Sequence, residues 1–278
     1  MSRPIYLIDA FADRPFEGNP AGAVTLHAGE WPARNWMQGV AAEMNQAETA
    51  FVRANAAGGP HGLRWFTPTL EVDLCGHATL AAAHALWTEH GFEGELTFET
   101  RSGPLTCRRG DDGSIVMDFP ATPPEPREPE AALLAAAGVS PSDVSYAGRT
   151  RFDAFLALRD ESAVRAATPD MRALGAATER GLIVTAAGGA TAESGGFDFV
   201  SRFFAPAAGV DEDPVTGSAH CALAPYWSGV LGREGLVGRQ LSRRGGTVRT
   251  RVAGDRVELA GRAVTVLRGQ LAASGSSG

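Results

Sequence analysis

The 278-residue chain predicts an α+β fold of two similar halves. Each half is a curved, mostly antiparallel sheet wrapped around one central helix. Three observations carry this. First, Arg64-Trp65-Phe66-Thr67-Pro68 running into Asp73-Leu74-Cys75-Gly76-His77-Ala78-Thr79 has a second version. That version is Arg202-Phe203-Phe204-Ala205-Pro206 running into Asp213-Pro214-Val215-Thr216-Gly217-Ser218-Ala219-His220. An internal repeat of such long period indicates two related halves rather than a solenoid. Second, each copy leads into an alanine-rich segment that is apolar nearly all round, the signature of a helix buried inside a protein. Third, strand-like segments outnumber helical ones and lack a regular βαβ rhythm.

The elements follow in order. Ile5–Phe11 reads as a buried strand, and Gly18-Asn19-Pro20 as a turn of residues suited to special backbone angles. Ala23–Leu26 resumes as a strand. Trp31–Met44 places Trp36, Met37, Val40, Ala41 and Met44 at helix-face spacing. Thr49–Val52 is a further strand, so Glu48 stands at a helix-to-strand junction. Leu63–Phe66 is a strand and Ala78–His90 the first central helix, with Gly91 as its cap. Strands at 95–99, 105–108 and 114–119 complete a first half spanning 1–119.

Five prolines from Pro120 to Pro129 mark 120–129 as a semi-rigid connector. The second half, 130–270, opens with a short helix at 130–137 and a strand at 153–158. Helical turns at 162–166 and 170–174 follow, then strands at 181–185 and 197–204. Ser218–Leu231 is the second central helix, which Pro225 is expected to break or kink. Alternating segments within 240–268 read as strands, free to cross back to the first half. A Ser/Gly tail, 271–278, is expected to be flexible.

Composition excludes several functions. A net charge of −7 argues against general nucleic-acid binding, which needs a basic surface. No apolar run is long enough for a membrane span, and cytoplasmic residence is the default expectation. Lysine is absent from the chain, so Schiff-base chemistry on a lysine and a Walker A loop are both out. Three scattered cysteines, Cys75, Cys107 and Cys221, build no disulfide framework. The histidines show no metal-ligand spacing such as HExxH, so no metal is expected.

The repeat itself points to chemistry. A glycine at a helix start exposes backbone N–H groups, and the helix dipole favours an anion there. Gly76-His77-Ala78 and Gly217-Ser218-Ala219 would each supply such a nest. If the halves face one another, the two converge on one cleft suited to a small carboxylate-bearing metabolite. Taken alone, Glu48 reads as a solvated loop carboxylate, His77 as a helix-start histidine and Asp213 as a turn residue before proline. Their positions in the repeat give them weight. A partly buried Glu48 could act as acid or base near neutral pH. Cys75 before Gly76 is a candidate base, but its counterpart is Thr216, which rules against a symmetric two-thiol mechanism.

Gly18-Asn19-Pro20, Gln46-Ala47-Glu48-Thr49-Ala50-Phe51, Cys75-Gly76-His77-Ala78-Thr79 and the run from Asp211 to His220 together resemble the PhzF-like isomerases of phenazine biosynthesis. The resemblance extends from the first strand to about residue 268. It implies the two-half fold shared with diaminopimelate epimerase and proline racemase. It also implies Glu48 as a proton shuttle, with His77 and Asp213 completing the acid/base group. Asn19, Gly76, Gly217 and Ser218, with neighbouring backbone amides, would bind substrate. No cofactor or metal is implied, and a homodimer is. An epimerase or racemase with unequal bases and a non-catalytic small-anion binder are the alternatives.

Overall fold

The computed structural model describes residues 3–189 and 196–272. The chain divides into two compact units, one of residues 1–118 with 260–278 and one of residues 119–259.

The first unit runs β1 (Arg3–Ala10), β2 (Asn19–Leu26), α1 (Arg34–Met44), β3 (Glu48–Arg53), β4 (His61–Phe66) and β5 (Glu71–Val72). It continues through α2 (Gly76–Glu89), β6 (Leu96–Thr100), β7 (Gly103–Arg109) and β8 (Ile115–Pro120). The second unit follows with β9 (Glu125–Pro126), α3 (Ala131–Ala137), β10 (Val144–Arg149) and β11 (Asp153–Leu158). Then come α4 (Glu161–Ala166), α5 (Met171–Ala177), β12 (Gly181–Ala187), β13 (Phe199–Phe204) and α6 (Gly217–Leu231). It ends with β14 (Gly235–Gln240), β15 (Gly246–Ala253) and β16 (Arg256–Gly261), after which β17 (Ala263–Leu271) belongs to the first unit.

The two units repeat one topology. In the first, β1 pairs antiparallel with β2, β2 parallel with β3, β3 antiparallel with β4, β4 parallel with β6, and β6 antiparallel with β7. In the second, the same sequence of senses runs through β10, β11, β12, β13, β14 and β15. Antiparallel pairs predominate, as expected. The expected absence of a βαβ rhythm is corrected in part: the connections through α1, α2, α4 with α5, and α6 join parallel neighbours, whereas α3 lies between antiparallel β9 and β10. The β11–β12 crossover escapes a periodicity search because α4 and α5 are only six and seven residues long.

Period-two alternation fixes which side chains face which helix. On β12, Leu182, Val184 and Ala186 join a core with Val164 of α4 and Leu174 of α5. Ile183 between them joins Ala219, Leu223 and Trp227 of α6. With both faces covered, the strand reads as an unbroken apolar run. On β3, Phe51 packs with Met37 and Val40 of α1. Alternation therefore turns Glu48, Ala50 and Val52 to the opposite face, where α2 packs on β2 and β3.

The last strand crosses back to the first half, a course left open from the sequence: β17 pairs with β1 from Arg3–Leu271 to Ala10–Ala263. Within the expected flexible tail, Leu271 is thus paired, and residues 273–278 lie outside the described residues. The proline-rich connector is also tied down, since Glu125 and Pro126 pair with Arg149 and Gly148 of β10.

Pro225 neither breaks nor ends α6, which runs continuously from Gly217 to Leu231. Proline has no N–H to give the Cys221 carbonyl four residues earlier, and an unpaired buried carbonyl is costly. The Thr122 N–H takes that place, donating to the Cys221 oxygen at 3.0 Å. The connector thus satisfies the group that the proline strands.

Among the described residues no helix is long and apolar enough to cross a membrane.

Candidate active site

In the first unit the site is assembled from β2, β3 and the start of α2. Gly18, at φ +65°, makes the turn into β2; a Cβ there would fall 2.1 Å from the Ala10 carbonyl oxygen. The turn delivers Asn19 as the first residue of β2. Glu48 opens β3, and its neighbour in the parallel register is Ala21. Asn19 and Glu48 thereby lie on the α2 side of adjacent strands.

Cys75 is the N-cap residue of α2, in an extended backbone conformation and without a side-chain cap. His77 sits in the first turn and is 5% exposed. Its Nε2 lies 3.2 Å from Glu48 Oε2. Its Nδ1 lies 3.3 Å from Asn19 Nδ2 and 3.5 Å from Cys75 Sγ. An amide nitrogen only donates, so Nδ1 accepts and the ring proton falls on Nε2, the edge toward Glu48. Burial pushes the His77 pKa down from 6.5 to about 4. At neutral pH the contact with Glu48 is therefore between a neutral imidazole and a carboxyl group, not an ion pair. Although close, the two are not aligned as a hydrogen bond, and Nε2 has no aligned partner.

The Glu48 side chain is 20% exposed, which leaves it open to a ligand while one edge is covered. Asn19, expected to bind substrate, is fully buried and turned to His77. Glu48, Cys75 and His77 each bring one donor atom to a cluster within 4.8 Å. The search for HExxH-like spacing could not find this group, because its members come from two separate elements.

In the second unit the matching position is the start of α6. Its N-cap is Thr216, again extended and again without a side-chain cap. Asp213 accepts a 2.5 Å bond from the Thr216 hydroxyl. Its own backbone N–H donates to the Phe203 carbonyl at 3.0 Å. Gln240, fully buried on β14, clamps this loop. It donates to the Asp213 carbonyl at 2.7 Å and accepts from the Thr216 N–H at 2.9 Å.

Ser218, the counterpart of His77, lies 3.3 Å from Nη2 of Arg180. Arg180 directly precedes β12, whose first residue Gly181 occupies the register position that Glu48 holds on β3. Buried Asp153 receives Arg180 Nε at 2.7 Å and a second bond from Nη2. Phe152 and Phe203 lie 4.8 Å and 5.7 Å from the guanidinium. The structure thus brings Asn19, Glu48, Gly76 and His77 together in one unit, and Asp213, Gly217 and Ser218 in the other. Arg180 and Gln240 were missed from sequence, since neither lies in a repeated motif.

A family model for phenazine biosynthesis-like proteins (PhzC-PhzF) matches residues 8–269. The chain belongs to that family. An uncharacterized isomerase of Pseudomonas aeruginosa is 48% identical, over 98% of this chain and 99% of its own. A PhzF-family crystal structure from Enterococcus faecalis superposes with a TM-score of 0.89 at 40% identity, covering 98% of this chain and 99% of that one. A hydroxyproline epimerase from Agrobacterium vitis reaches a TM-score of 0.57 at 9% identity, over 97% of this chain and 92% of that one, a likeness of fold alone. The protein is a member of the PhzF-like isomerases with the epimerase-like α+β fold.

Proposed function

We propose that this isomerase needs no cofactor and moves a proton on a small carboxylate-bearing substrate, with Glu48 as the shuttle. The observation that carries the reading is the Glu48 carboxyl itself. It is partly exposed, held at a strand start, and backed by a buried imidazole that is neutral at physiological pH. A carboxylate in that setting takes the proton of a substrate C–H as the bonding pair moves into the adjacent π system. The same carboxyl then returns the proton to another carbon of that system. Such general acid/base transfer contributes roughly 10²–10⁴ in rate.

Other residues have supporting parts. Asn19 orients His77, and His77 fixes the edge of Glu48 that faces away from substrate. Asp213, held by Thr216 and Gln240, serves as the second acid/base group. The uncapped N–H groups at Gly76, at the start of α2, and at Gly217 and Ser218, at the start of α6, each suit an anionic group, as helix N-termini favour anions; the family resemblance assigns them the substrate carboxylate. Arg180 adds a fixed cation beside Ser218. By the family resemblance the same reading extends to a cytoplasmic homodimer. Light scattering that returned the mass of one chain would remove the dimer.

The deciding experiment is a panel of cyclic and acyclic carboxylates incubated with the protein in D₂O. The reading requires deuterium uptake into at least one of them by the wild type and none by Glu48→Gln. A second reading has a specific observation behind it, the 3.5 Å approach of Cys75 Sγ to His77 Nδ1. In that version an epimerase uses unequal bases, and exchange survives Glu48→Gln but is lost with Cys75→Ala.

A further inference from the structure

We propose that Glu48, Cys75 and His77 form a binding site for a thiophilic divalent ion of the Zn²⁺ class, with three protein ligands and one position open. A carboxylate oxygen, a thiol sulfur and an imidazole nitrogen lie within 4.8 Å of one another. These are the donor types that such an ion selects, and three protein ligands plus an open position is a common arrangement for it.

An independent observation points to a ligand. His77 is 5% exposed, yet its Nε2 has no aligned hydrogen-bond partner. A buried nitrogen left in that state costs about 1–3 kcal/mol; an ion would bind it once the ring proton moved to Nδ1, which frees the Nε2 lone pair. Either tautomer offers a lone pair beside a second donor, 3.2 Å from the Glu48 oxygen or 3.5 Å from the Cys75 sulfur. Bonds of about 2.0–2.3 Å around a tetrahedral ion separate its ligand atoms by about 3.3–3.8 Å. The cluster therefore needs to contract by at most about 1.5 Å, which the partly exposed Glu48 side chain can supply. With the proton on Nδ1, the Asn19 amide, 3.3 Å away, has to turn its oxygen to that N–H to hold the ring as outer-shell partners of metal-bound histidines do.

One consequence rests on the reading of Glu48 as the shuttle. An ion on the carboxylate occupies the lone pair that would take the proton, so metal binding and isomerisation exclude one another. The inhibition would be reversible, unlike oxidation of the thiol.

Cobalt(II) serves as the spectroscopic probe, titrated into the full-length protein under reducing conditions. The expected result is visible absorption of a tetrahedral ion and a near-ultraviolet thiolate-to-cobalt band, both displaced by Zn²⁺. Cys75→Ser should lose the near-ultraviolet band, Cys221→Ala should keep it, and Glu48→Gln should weaken binding roughly tenfold or more. No thiolate band in the wild type, or a band that survives Cys75→Ser, overturns the site. The two readings fail separately. If Zn²⁺ binds but deuterium exchange continues, the mutual exclusion falls while the site stands. If cobalt binds and no carboxylate exchanges in metal-free protein, the proton-shuttle reading falls instead.

Discussion

His77 Nε2 approaches Glu48 Oε2 to 3.2 Å, yet the ring is too deeply buried to carry charge at neutral pH. The pair therefore cannot be stabilised as an ion pair, and its closeness needs another use. The proposed use is to present a carboxyl group with one edge covered and the other open. Glu48→Gln keeps the shape and removes the base. Deuterium exchange into the responsive carboxylate should fall by at least about 10²-fold, with the thermal midpoint and far-ultraviolet spectrum unchanged. Full exchange in this variant would end the proposal.

Burial of two histidines sets a pH dependence of stability. Burial pushes both His77 and His220 down from 6.5 to about 4, although the bond from His220 to the Thr216 carbonyl opposes the shift there. Between those values the unfolded chain holds more protons than the folded one. Stability is then fully present above pH about 6.5 and is lost as pH falls toward about 4. At about 1.4 kcal/mol per pKa unit, each histidine accounts for about 3 kcal/mol over that interval. Urea unfolding at several pH values across it should show this fall, and His220→Gln should flatten the slope, leaving the shares of His77 and of His61, His84 and His90, which burial also lowers. An unchanged slope would mean that His220 is protonated in the folded protein.

Much of the architecture was legible because the repeat carries its own structural logic. Arg64 and Arg202 open the two copies, and each grips a glutamate further along, Glu71 and Glu212, through Nε and Nη2. The basic-aromatic start and the acidic loop seen in the sequence are the two ends of these ion pairs. Cys75 and Thr216 likewise proved to be equivalent N-caps. What stayed hidden depends on register and on distant partners. Arg180 is five residues before Thr185 in sequence but meets Ser218 only because β12 and α6 pack together. Nothing near Pro225 announces that Thr122 will satisfy the Cys221 carbonyl. The Glu48–Cys75–His77 cluster is invisible to spacing rules for the same reason.

The Arg64 and Arg202 ion pairs should differ in worth despite their common geometry. The Glu71 side chain is 1% exposed and is met by Arg64, Arg34 and Arg101, whereas the Glu212 side chain is 23% exposed. Burial raises the Glu71 pKa, but bonds from Arg64 and Arg34 outweigh it and hold the carboxyl below its ordinary value. Removing one partner of a buried pair is strongly destabilising, while partly exposed pairs contribute about 1 kcal/mol or less. Glu71→Ala should therefore cost about 3 kcal/mol in urea unfolding and Glu212→Ala about 1 kcal/mol. Equal losses would show that the buried setting of Glu71 confers nothing extra.

Arg180 offers a test of substrate binding that leaves the proton shuttle untouched. Its guanidinium is fixed by Asp153 from one side and by Phe152 and Phe203 around it, so little freedom is lost when it meets an anion. Lysine at this position keeps the charge but cannot form the two-pronged bond to Asp153 or lie flat against the rings. Arg180→Lys should therefore raise KM for the exchanging carboxylate by roughly tenfold, about 1.4 kcal/mol of binding, with kcat within about twofold. Ser218→Ala, which removes the hydroxyl 3.3 Å from Nη2, should act in the same direction. A merely structural Arg180 would instead lower the unfolding midpoint and leave KM where it was. A fall in kcat with unchanged KM would move Arg180 from binding the substrate to stabilising charge that develops during proton transfer.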